Sequence, residues 1–172
     1  ETINLKRASE SPEIKGLKGL NKRLKGFFRL GEGVEHAPEA LNVPEFKAAN
    51  ELSKTLSGRE IIPFKGRDDL HGVSDGKNIY VNANTKQPIL YVTSHEITHH
   101  METANPAAYS RLEQIVREHI ADNEGLTQHY ESRGYKAGEI PKETMADAMA
   151  EAMIEPSFWA RVRQQSPELL KS

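Results

Sequence analysis

The sequence predicts an α+β fold in which a small sheet packs on several helices. Two short segments rich in β-branched and aromatic residues lie between residues 60 and 82 and are bounded by turn residues. Segments with helical periodicity surround them, with proline or asparagine where a helix can begin and glycine where one can end. With 172 residues, the chain has room for one ordinary domain with a hydrophobic core and is too short for two large ones.

Residues 1–44 are expected to form an N-terminal extension, followed by the main domain over residues 45–172. From Lys15 to Leu30, apolar residues recur at near-helical spacing among lysines and arginines, so this segment is basic and amphipathic. It could bind a membrane surface or nucleic acid, or it could pack on the domain with its charges in water. The glycines within it weaken a helix and favour packing on the domain.

The first helix of the main domain is expected to begin at Pro44 and to end at Gly58. Proline fits the first position of a helix because no amide hydrogen is needed there, and glycine readily takes the left-handed conformation that closes a helix. The apolar residues between them fall on one helical face, namely Phe46, Ala49, Leu52 and Leu56.

Two strands are expected next, over residues 60–64 and 78–82. The second alternates aliphatic residues with Tyr and Asn, as a half-buried strand does. The first contains Pro63, which cannot donate a ladder hydrogen bond, so we expect it at a sheet edge or a bulge. Residues 74–77 (Ser-Asp-Gly-Lys) form a turn sequence between the strands, and an antiparallel pairing of the two is the simplest arrangement.

Four helices are expected in the rest of the chain. The first runs over residues 88–102, and the second over residues 106–121 with Asn105 as its cap. A shorter helix is expected to end near Gly134. The last long helix is expected over residues 141–154, where a proline two residues later prevents simple continuation.

Composition and charge exclude several functional classes. The formal net charge is -2, so the whole chain has no strong attraction for nucleic acid or anionic lipid. There is no cysteine, which excludes disulfides, thiolate metal sites and cysteine nucleophiles and fits a reducing compartment such as the cytoplasm. No apolar stretch approaches the roughly 20 residues of a membrane-spanning helix. The first residues contain neither an initiator methionine nor a signal peptide, so we expect part of a longer, multidomain protein.

The pattern His95-Glu96-Ile97-Thr98-His99 lies within the helix expected over residues 88–102. Residues four apart share one helical face, so both imidazoles can bind the same metal ion. Glu96 is next to the first histidine, where its carboxylate borders the metal and can take a proton from water. The sequence therefore predicts His95 and His99 as ligands of Zn²⁺ and Glu96 as the catalytic base.

A catalytic zinc ion needs a third protein ligand and one open position. Glu143, Asp147 and Glu151 follow one another at four-residue intervals, so their carboxylates align along one helical face. Such a stripe can be an ordinary solvated surface, but together with the upstream motif it can complete a metal site. We expect Glu143 as the third ligand and Asp147 as the acceptor that orients a ligand histidine. Glu151 has no assigned role and could be plain surface.

These residues resemble the gluzincin branch of zinc peptidases, to which thermolysin belongs, because His95-Glu-x-x-His99 is followed by Glu143-x-x-x-Asp147. The stretch from Ser94 to His100 is also similar to zincin-like metallopeptidase domains embedded in large multidomain proteins of phages and bacterial mobile elements. The resemblance implies an α+β fold of zincin type, with the two histidines and Glu143 on zinc. It further implies that Glu96 is the general base and that Asp147 hydrogen-bonds a ligand histidine.

The resemblance extends from Asn78 to the last long helix. Lys142 stands where thermolysin-type enzymes have an asparagine before the ligand glutamate, which argues against a close relationship to thermolysin but not against the ligand set. In the family, the strand before the active-site helix holds extended substrate. This implies the same role for the strand around Tyr80, over residues 78–82.

The remaining histidines are expected to have structural or surface roles. His100 follows the motif but points about 100° away around the helix, which leaves it behind the site or on the surface. The others lie on loops or on other helices, namely His36, His71, His119 and His129. A Tyr or His that stabilises the oxyanion is expected in this chemistry. The open candidates between the ligand segments are Tyr130, Tyr135 and His129.

The function expected from these residues is zinc-dependent hydrolysis of a peptide or protein substrate, without a role in nucleic-acid or membrane binding. One alternative is a noncatalytic, metal-stabilised module of a larger phage or mobile-element protein. Glu96 speaks against it, because a structural metal needs the two histidines but no base between them. A second alternative is a regulatory peptidase that cleaves a repressor, which differs only in its substrate.

Overall fold

The computed structural model describes residues 30, 31 and 33–170. These residues form an α+β fold with one four-stranded sheet, so the predicted fold class is confirmed at this level. The strands are β1 (Glu35–His36), β2 (Ile61–Lys65), β3 (Gly72–Ser74) and β4 (Ile79–Asn82). The α-helices are α1 (Pro44–Ser57), α2 (Ile89–Ala104), α3 (Pro106–Ala121), α4 (Glu124–Ser132), α5 (Lys142–Met153) and α6 (Pro156–Gln165). The basic segment predicted over residues 15–30 lies outside the described residues except for Leu30.

The sheet has the strand order β1-β2-β4-β3, with β2 and β4 at its centre. These two strands are parallel, with Ile61 opposite Ile79 and Phe64 opposite Asn82, so the predicted antiparallel pairing is wrong. The turn over residues 74–77 instead joins β3 to β4, which form an antiparallel hairpin. The turn itself was predicted, but β3 has only three residues and is too short to show a strand pattern.

Pro63 lies in β2, which is an interior strand, so its expected edge position is wrong. Its carbonyl accepts a hydrogen bond from the amide of Ala37, 3.0 Å away and just beyond β1. The amide and the carbonyl of one strand residue face the same side. The nitrogen of Pro63, which has no hydrogen to donate, therefore also faces β1. β1 ends at His36 after two residues, so the proline costs at most one hydrogen bond at the end of a short ladder.

The helix ends follow the residues that predicted them. Gly58 closes α1 with φ 66°, in the left-handed conformation. The side-chain oxygen of Asn105 caps α3 by accepting a hydrogen bond from the amide of Ala108 at 3.2 Å. Pro156, expected only to stop α5, also begins α6, for the same reason that proline begins α1. None of the helices within residues 33–170 combines the length and the apolar character that crossing a membrane requires.

Both faces of the sheet are buried, each in its own hydrophobic cluster. One face contributes Ile61, Ile79 and Val81 to the main core, which the sheet shares with the helices. The other face forms a smaller cluster, made of Leu30, Ile62, Phe64 and Tyr80. β4 is therefore buried on both sides rather than half-buried as its alternation predicted, because residues before β1 help to cover the second face.

The core includes residues that precede residue 45, where the main domain was expected to begin. β1 pairs with β2, and Ala37 and Ala40 are buried. Leu30 is also buried, against the second face of the sheet. The sheet and the core are therefore built partly from the end of the predicted extension.

α2 is the central helix of the fold. It packs on α1 and α5, and it also contacts α3, β3 and β4. Val92, Ile97 and Met101 bury it in the main core, as its apolar positions predicted. Because α2 is held on several sides, the polar side chains that it carries have a fixed position relative to β3 and α5.

Candidate functional site

His95 and His99 lie one turn apart on α2, and their rings are on the same side of the helix. Their Nε2 atoms are 3.0 Å apart, and their ring centroids are 4.7 Å apart with the planes at 70°. Both side chains are half-buried. The four-residue spacing on a well-packed helix thus brings the two predicted ligand nitrogens next to each other.

Asp147 on α5 contacts His95 on the side away from His99. Its Oδ1 atom lies 3.1 Å from Nδ1 of His95 and 3.1 Å from the hydroxyl of Tyr91. An ionised carboxylate only accepts hydrogen bonds, so the imidazole N–H and the tyrosine O–H both donate to it. With its hydrogen on Nδ1, His95 has a lone pair on Nε2, next to His99. This is the contact that we expected between Asp147 and a ligand histidine.

The charge state of His95 also suits a metal ligand. Burial lowers the pKa of its imidazole and the neighbouring His99 lowers it further, while Asp147 acts in the opposite direction. The neutral ring is therefore favoured over the imidazolium. A metal ion needs the lone pair that only the neutral ring provides.

The chemistry of these nitrogens suits one zinc ion, and their spacing is close to what the ion needs. Zinc–nitrogen bonds of about 2.0–2.1 Å at a tetrahedral angle place two nitrogen ligands of one ion about 3.3–3.4 Å apart. The observed 3.0 Å between the Nε2 atoms is a hydrogen-bonding distance and is shorter than this value by a few tenths of an ångström. A carboxylate that accepts from the other ring nitrogen, as Asp147 does, is also typical of zinc-bound histidines.

Glu143 lies in the first turn of α5, one turn before Asp147, and its side chain is exposed. The negative charge of Glu143 raises the pKa of His95, although burial, His99 and Asp147 have larger effects on it. This carboxylate therefore lies near the histidines. Within residues 33–170, no three His, Asp or Glu side chains come together closely enough to hold a metal ion. The structure shows two pairwise contacts, in which His95 touches His99 and Asp147. Glu143 as the third ligand stays a prediction.

Glu96 is only 8% exposed, and its side chain extends from α2 toward β3. Burial raises the pKa of its carboxyl to about 7, and a hydrogen bond with the backbone of Ser74 opposes the rise. A carboxyl with this pKa can take up and release a proton near neutral pH. The predicted base therefore lies beside a predicted ligand, in a partly dehydrated position.

β3 is the edge strand beside α2. Val73 pairs with Tyr80 of β4, and the backbone of the next residue, Ser74, is hydrogen-bonded to Glu96. β4 is paired on both sides, with β2 and β3, so its predicted role as the strand that binds substrate is wrong. A peptide can be added only to a strand edge that has no partner strand, and among the described residues the edge beside this site belongs to β3.

Gly72 allows β3 to pass close to α2. A Cβ atom here would lie 2.8 Å from Cγ1 of Val92, 2.9 Å from Cγ of Glu96 and 3.2 Å from the carbonyl oxygen of Tyr80. Carbon atoms attract one another at about 3.5–4.0 Å, so the first two contacts would be strongly repulsive. A residue without a side chain is therefore required for this approach of the strand to the base.

A pocket of about 270 Å³ opens between these elements. Its lining includes His95 and Glu96 from α2, Asp147 from α5, and His71, Gly72 and Gln87 from the start of β3 and the segments before β3 and α2. A space of this size suits one side chain or a short piece of extended chain rather than a large ligand. The pocket is therefore lined by one predicted ligand (His95), by the carboxylate that contacts it (Asp147) and by the predicted base (Glu96).

Two other histidines are buried away from this pocket. His100 is 2% exposed, so a surface position for it is wrong, and burial, with the charge of Arg59, lowers its pKa. His119 is also buried, and its Nε2 lies 3.1 Å from a carboxylate oxygen of Glu155. His119 is thus buried in an ion pair, and His100 is a core residue on α2.

The three candidates for stabilising an oxyanion, Tyr130, Tyr135 and His129, are not among the residues that line the pocket. Tyr130 is buried and donates its hydroxyl to Glu151 at 2.8 Å. Glu151, which could have been plain surface, is thus half-buried and holds a core tyrosine. Two of the three carboxylates in this stripe on α5 therefore have different partners: Asp147 contacts His95, and Glu151 contacts Tyr130 of α4.

Tyr91 and His71 are among the pocket residues that the sequence did not assign to the site, and His71 was expected to have a structural or surface role. Tyr91 lies four residues before His95, so its position on the same helical face was a usable signal. His71 had no such signal, because it reaches the pocket only through the fold of the segment between β2 and β3. A loop residue can be placed in a site by tertiary contacts that no local spacing reveals.

Comparisons of the chain with models of protein families, with curated proteins and with solved structures found no match. The resemblance to gluzincins therefore depends on the motif residues and their spacing. The geometry around His95, Glu96 and Asp147 is a separate observation from which a function can be inferred.

Gly72→Ala should destabilise the fold and displace Glu96. Inserting a methyl group into a packed contact typically costs about 1–3 kcal/mol of unfolding free energy. Gly138→Ala is the matched control, because a Cβ atom there meets nothing within 4 Å, and it should change stability by less than about 0.5 kcal/mol. Denaturant unfolding measures both variants. Equal stability of the two would contradict the close packing of β3 on α2.

Proposed function

We propose that the chain is a zincin-type peptidase domain that uses zinc to hydrolyse bonds in a peptide or protein substrate. One observation carries the proposal: the Nε2 of His95 faces His99 at 3.0 Å, while its Nδ1 contacts Asp147 and its pocket also contains Glu96. A purely structural metal site has no need of a buried carboxyl beside its ligands. A hydrolytic site needs that group, together with a space in which substrate and water can reach the metal.

The residues divide the chemistry of hydrolysis between them. Zinc, when bound by His95 and His99, would supply a Lewis acid that acidifies water and polarises the substrate carbonyl. Glu96 would remove one proton from the attacking water as the water oxygen bonds to the carbonyl carbon. It would then give that proton to the nitrogen as the carbon–nitrogen bond breaks, which leaves a carboxylic acid and an amine.

The edge of β3 is the proposed binding site for the substrate backbone. Its free edge lies beside α2, and Gly72 keeps it close to Glu96. An extended peptide that pairs with this edge would pass over the pocket beside His95. Backbone pairing binds peptides as a class, and the pocket would then select among side chains.

Glu143 is the proposed third ligand. Its exposed side chain has three rotatable bonds and starts one turn from Asp147, on the helix that already contacts His95. A carboxylate in this position can turn toward a cation between the imidazoles without a change in the backbone. Glu143 would then complete a ligand set with an open position for substrate or water.

The folded chain should bind a single zinc ion and lose thermal stability when a chelator removes it. Zinc that binds only the folded state adds about 4 kcal/mol when its free concentration is a thousand times the Kd. Metal analysis and thermal unfolding measure the two effects. His95→Ala and His99→Ala should abolish both, whereas His129→Ala, an exposed position on α4, should not. Protein purified without chelators that lacks zinc and gains no stability from it would contradict the metal site.

Glu96→Gln should abolish peptide hydrolysis and leave the zinc content unchanged. The substitution keeps the shape of the side chain but removes its ability to accept a proton, which typically costs about 100- to 10,000-fold in rate. Cleavage of a peptide library and metal analysis test the two halves. Glu131→Gln, an exposed position on α4, is the control. Loss of zinc from Glu96→Gln, or full activity, would show that Glu96 is not the base.

Glu143→Ala should weaken zinc binding more than Asp147→Ala. Removing a direct ligand deletes a metal bond, whereas removing the carboxylate that orients His95 typically costs about 10- to 100-fold in affinity. Tyr91→Phe, which removes only one of the two donors to Asp147, should have a smaller effect. Zinc titration ranks the variants. If Asp147→Ala empties the site while Glu143→Ala keeps wild-type affinity, the proposed ligand order is wrong.

A further inference from the structure

Among the described residues of α2 and α5 that line the pocket, the side-chain donors are already in use. The Nδ1–H group of His95 and the hydroxyl of Tyr91 both donate to Asp147. Glu96 acts as an acceptor when ionised and is needed for proton transfer. In peptide hydrolysis, negative charge develops on the carbonyl oxygen, and enzymes place fixed donors where that charge forms. A side-chain donor that assists the proposed zinc ion would therefore come from the lining residues outside these two helices.

His71 lines the pocket outside these helices, directly before β3, and it is half-buried. Its backbone is fixed by Asn82, whose amide donates to the carbonyl of His71 at 2.8 Å. The side-chain amide of Asn82 also donates to the carbonyls of Arg67 and Leu70, at 2.6 and 2.8 Å. Asn82 is 1% exposed, so water does not compete for these hydrogen bonds. The segment before β3 is thus held at three points.

The ring of His71 is oriented by Thr85. Its Nδ1 lies 2.8 Å from Oγ1 of Thr85, and the same oxygen accepts a hydrogen bond from the backbone amide of Gln87 at 3.2 Å. The hydroxyl of Thr85 keeps its own hydrogen, which it can donate to Nδ1, while its second lone pair also allows it to accept from an Nδ1–H group. When Thr85 donates, His71 carries its ring hydrogen on Nε2. In this tautomer the free nitrogen is a donor rather than an acceptor.

We propose that His71 donates its Nε2 hydrogen to the carbonyl oxygen of the bound peptide, and that Thr85 is the residue that positions the ring. This role rests on the proposed peptidase function and names the group that binds the reacting carbonyl. Gln87 also lines the pocket outside α2 and α5 and has a side-chain donor, but it is exposed and its amide is less well fixed than the imidazole of His71. A fixed donor is worth more in catalysis because it does not have to be reoriented as charge develops.

Zinc content separates a role of His71 as a hydrogen-bond donor to the substrate from a role as a metal ligand. A donor to the substrate can be removed without loss of zinc, whereas a ligand cannot.

Steady-state kinetics of the zinc-loaded chain test the proposal on a peptide that the wild type cleaves. His71→Ala should lower kcat by about 100- to 1,000-fold, with a much smaller change in KM and unchanged zinc content. His71→Gln, whose amide can donate from nearly the same position, should restore part of the loss. Thr85→Val should lower kcat less than His71→Ala. His129→Ala, which is exposed on α4, is the matched control.

The tautomer of His71 can be read from nitrogen-15 NMR of the metal-free protein, independently of activity. The wild type should have the hydrogen on Nε2, and Thr85→Val should shift the ring toward the other tautomer. A hydrogen on Nδ1 in the wild type would overturn the proposal. So would loss of zinc from His71→Ala, or a loss of kcat in Gln87→Ala but not in His71→Ala. A zinc-loaded wild type that cuts no peptide would overturn the peptidase function itself, whereas an active wild type with a fully active His71→Ala would overturn only the role of His71.

Discussion

The contact between Asp147 and His95 is the interaction on which the rest of the site depends. It joins α5 to α2 and sets the tautomer of His95, so that the lone pair on Nε2 lies beside His99. Without a carboxylate at this position, the imidazole could carry its hydrogen on either nitrogen and lose its fixed orientation. The contact itself follows from helix packing. The alanines of α5, including Ala146, Ala148 and Ala150, are buried and let this helix lie close to its neighbours.

The site is built at some cost to the stability of α2. Glu96 is a buried carboxyl, and its raised pKa reflects the penalty for ionising it away from water. On the same helix, the side-chain oxygens of Thr93 and Ser94 and the Nδ1 of His100 are buried without a hydrogen-bond partner among the described residues. Apolar residues at these positions would pack with less penalty. Polar groups concentrated on one core helix are typical of a protein that gives up stability for a functional site.

The sequence predicted the features of the fold and site that depend on local spacing. The α2 helix, its paired imidazoles and the cap at Asn105 follow from residues a few positions apart. The sheet topology did not follow, because β3 has three residues and its insertion next to β4 depends on long-range pairing. His71 was missed for the same reason, since its position depends on hydrogen bonds with Asn82, at the end of β4, and with Thr85, just after it. Asp147 was predicted from its spacing after Glu143 together with a resemblance, and the contact with His95 depends on how α5 packs on α2.

The central claim is that His95 and His99 bind one zinc ion through their Nε2 atoms. Crystals grown with zinc and measured at wavelengths on both sides of its absorption edge test this claim most directly. We predict an anomalous difference peak about 2.1 Å from both nitrogens, with Asp147 still hydrogen-bonded to Nδ1 of His95. The contrary result is a crystal with zinc bound elsewhere, in which the two imidazoles hydrogen-bond only to each other.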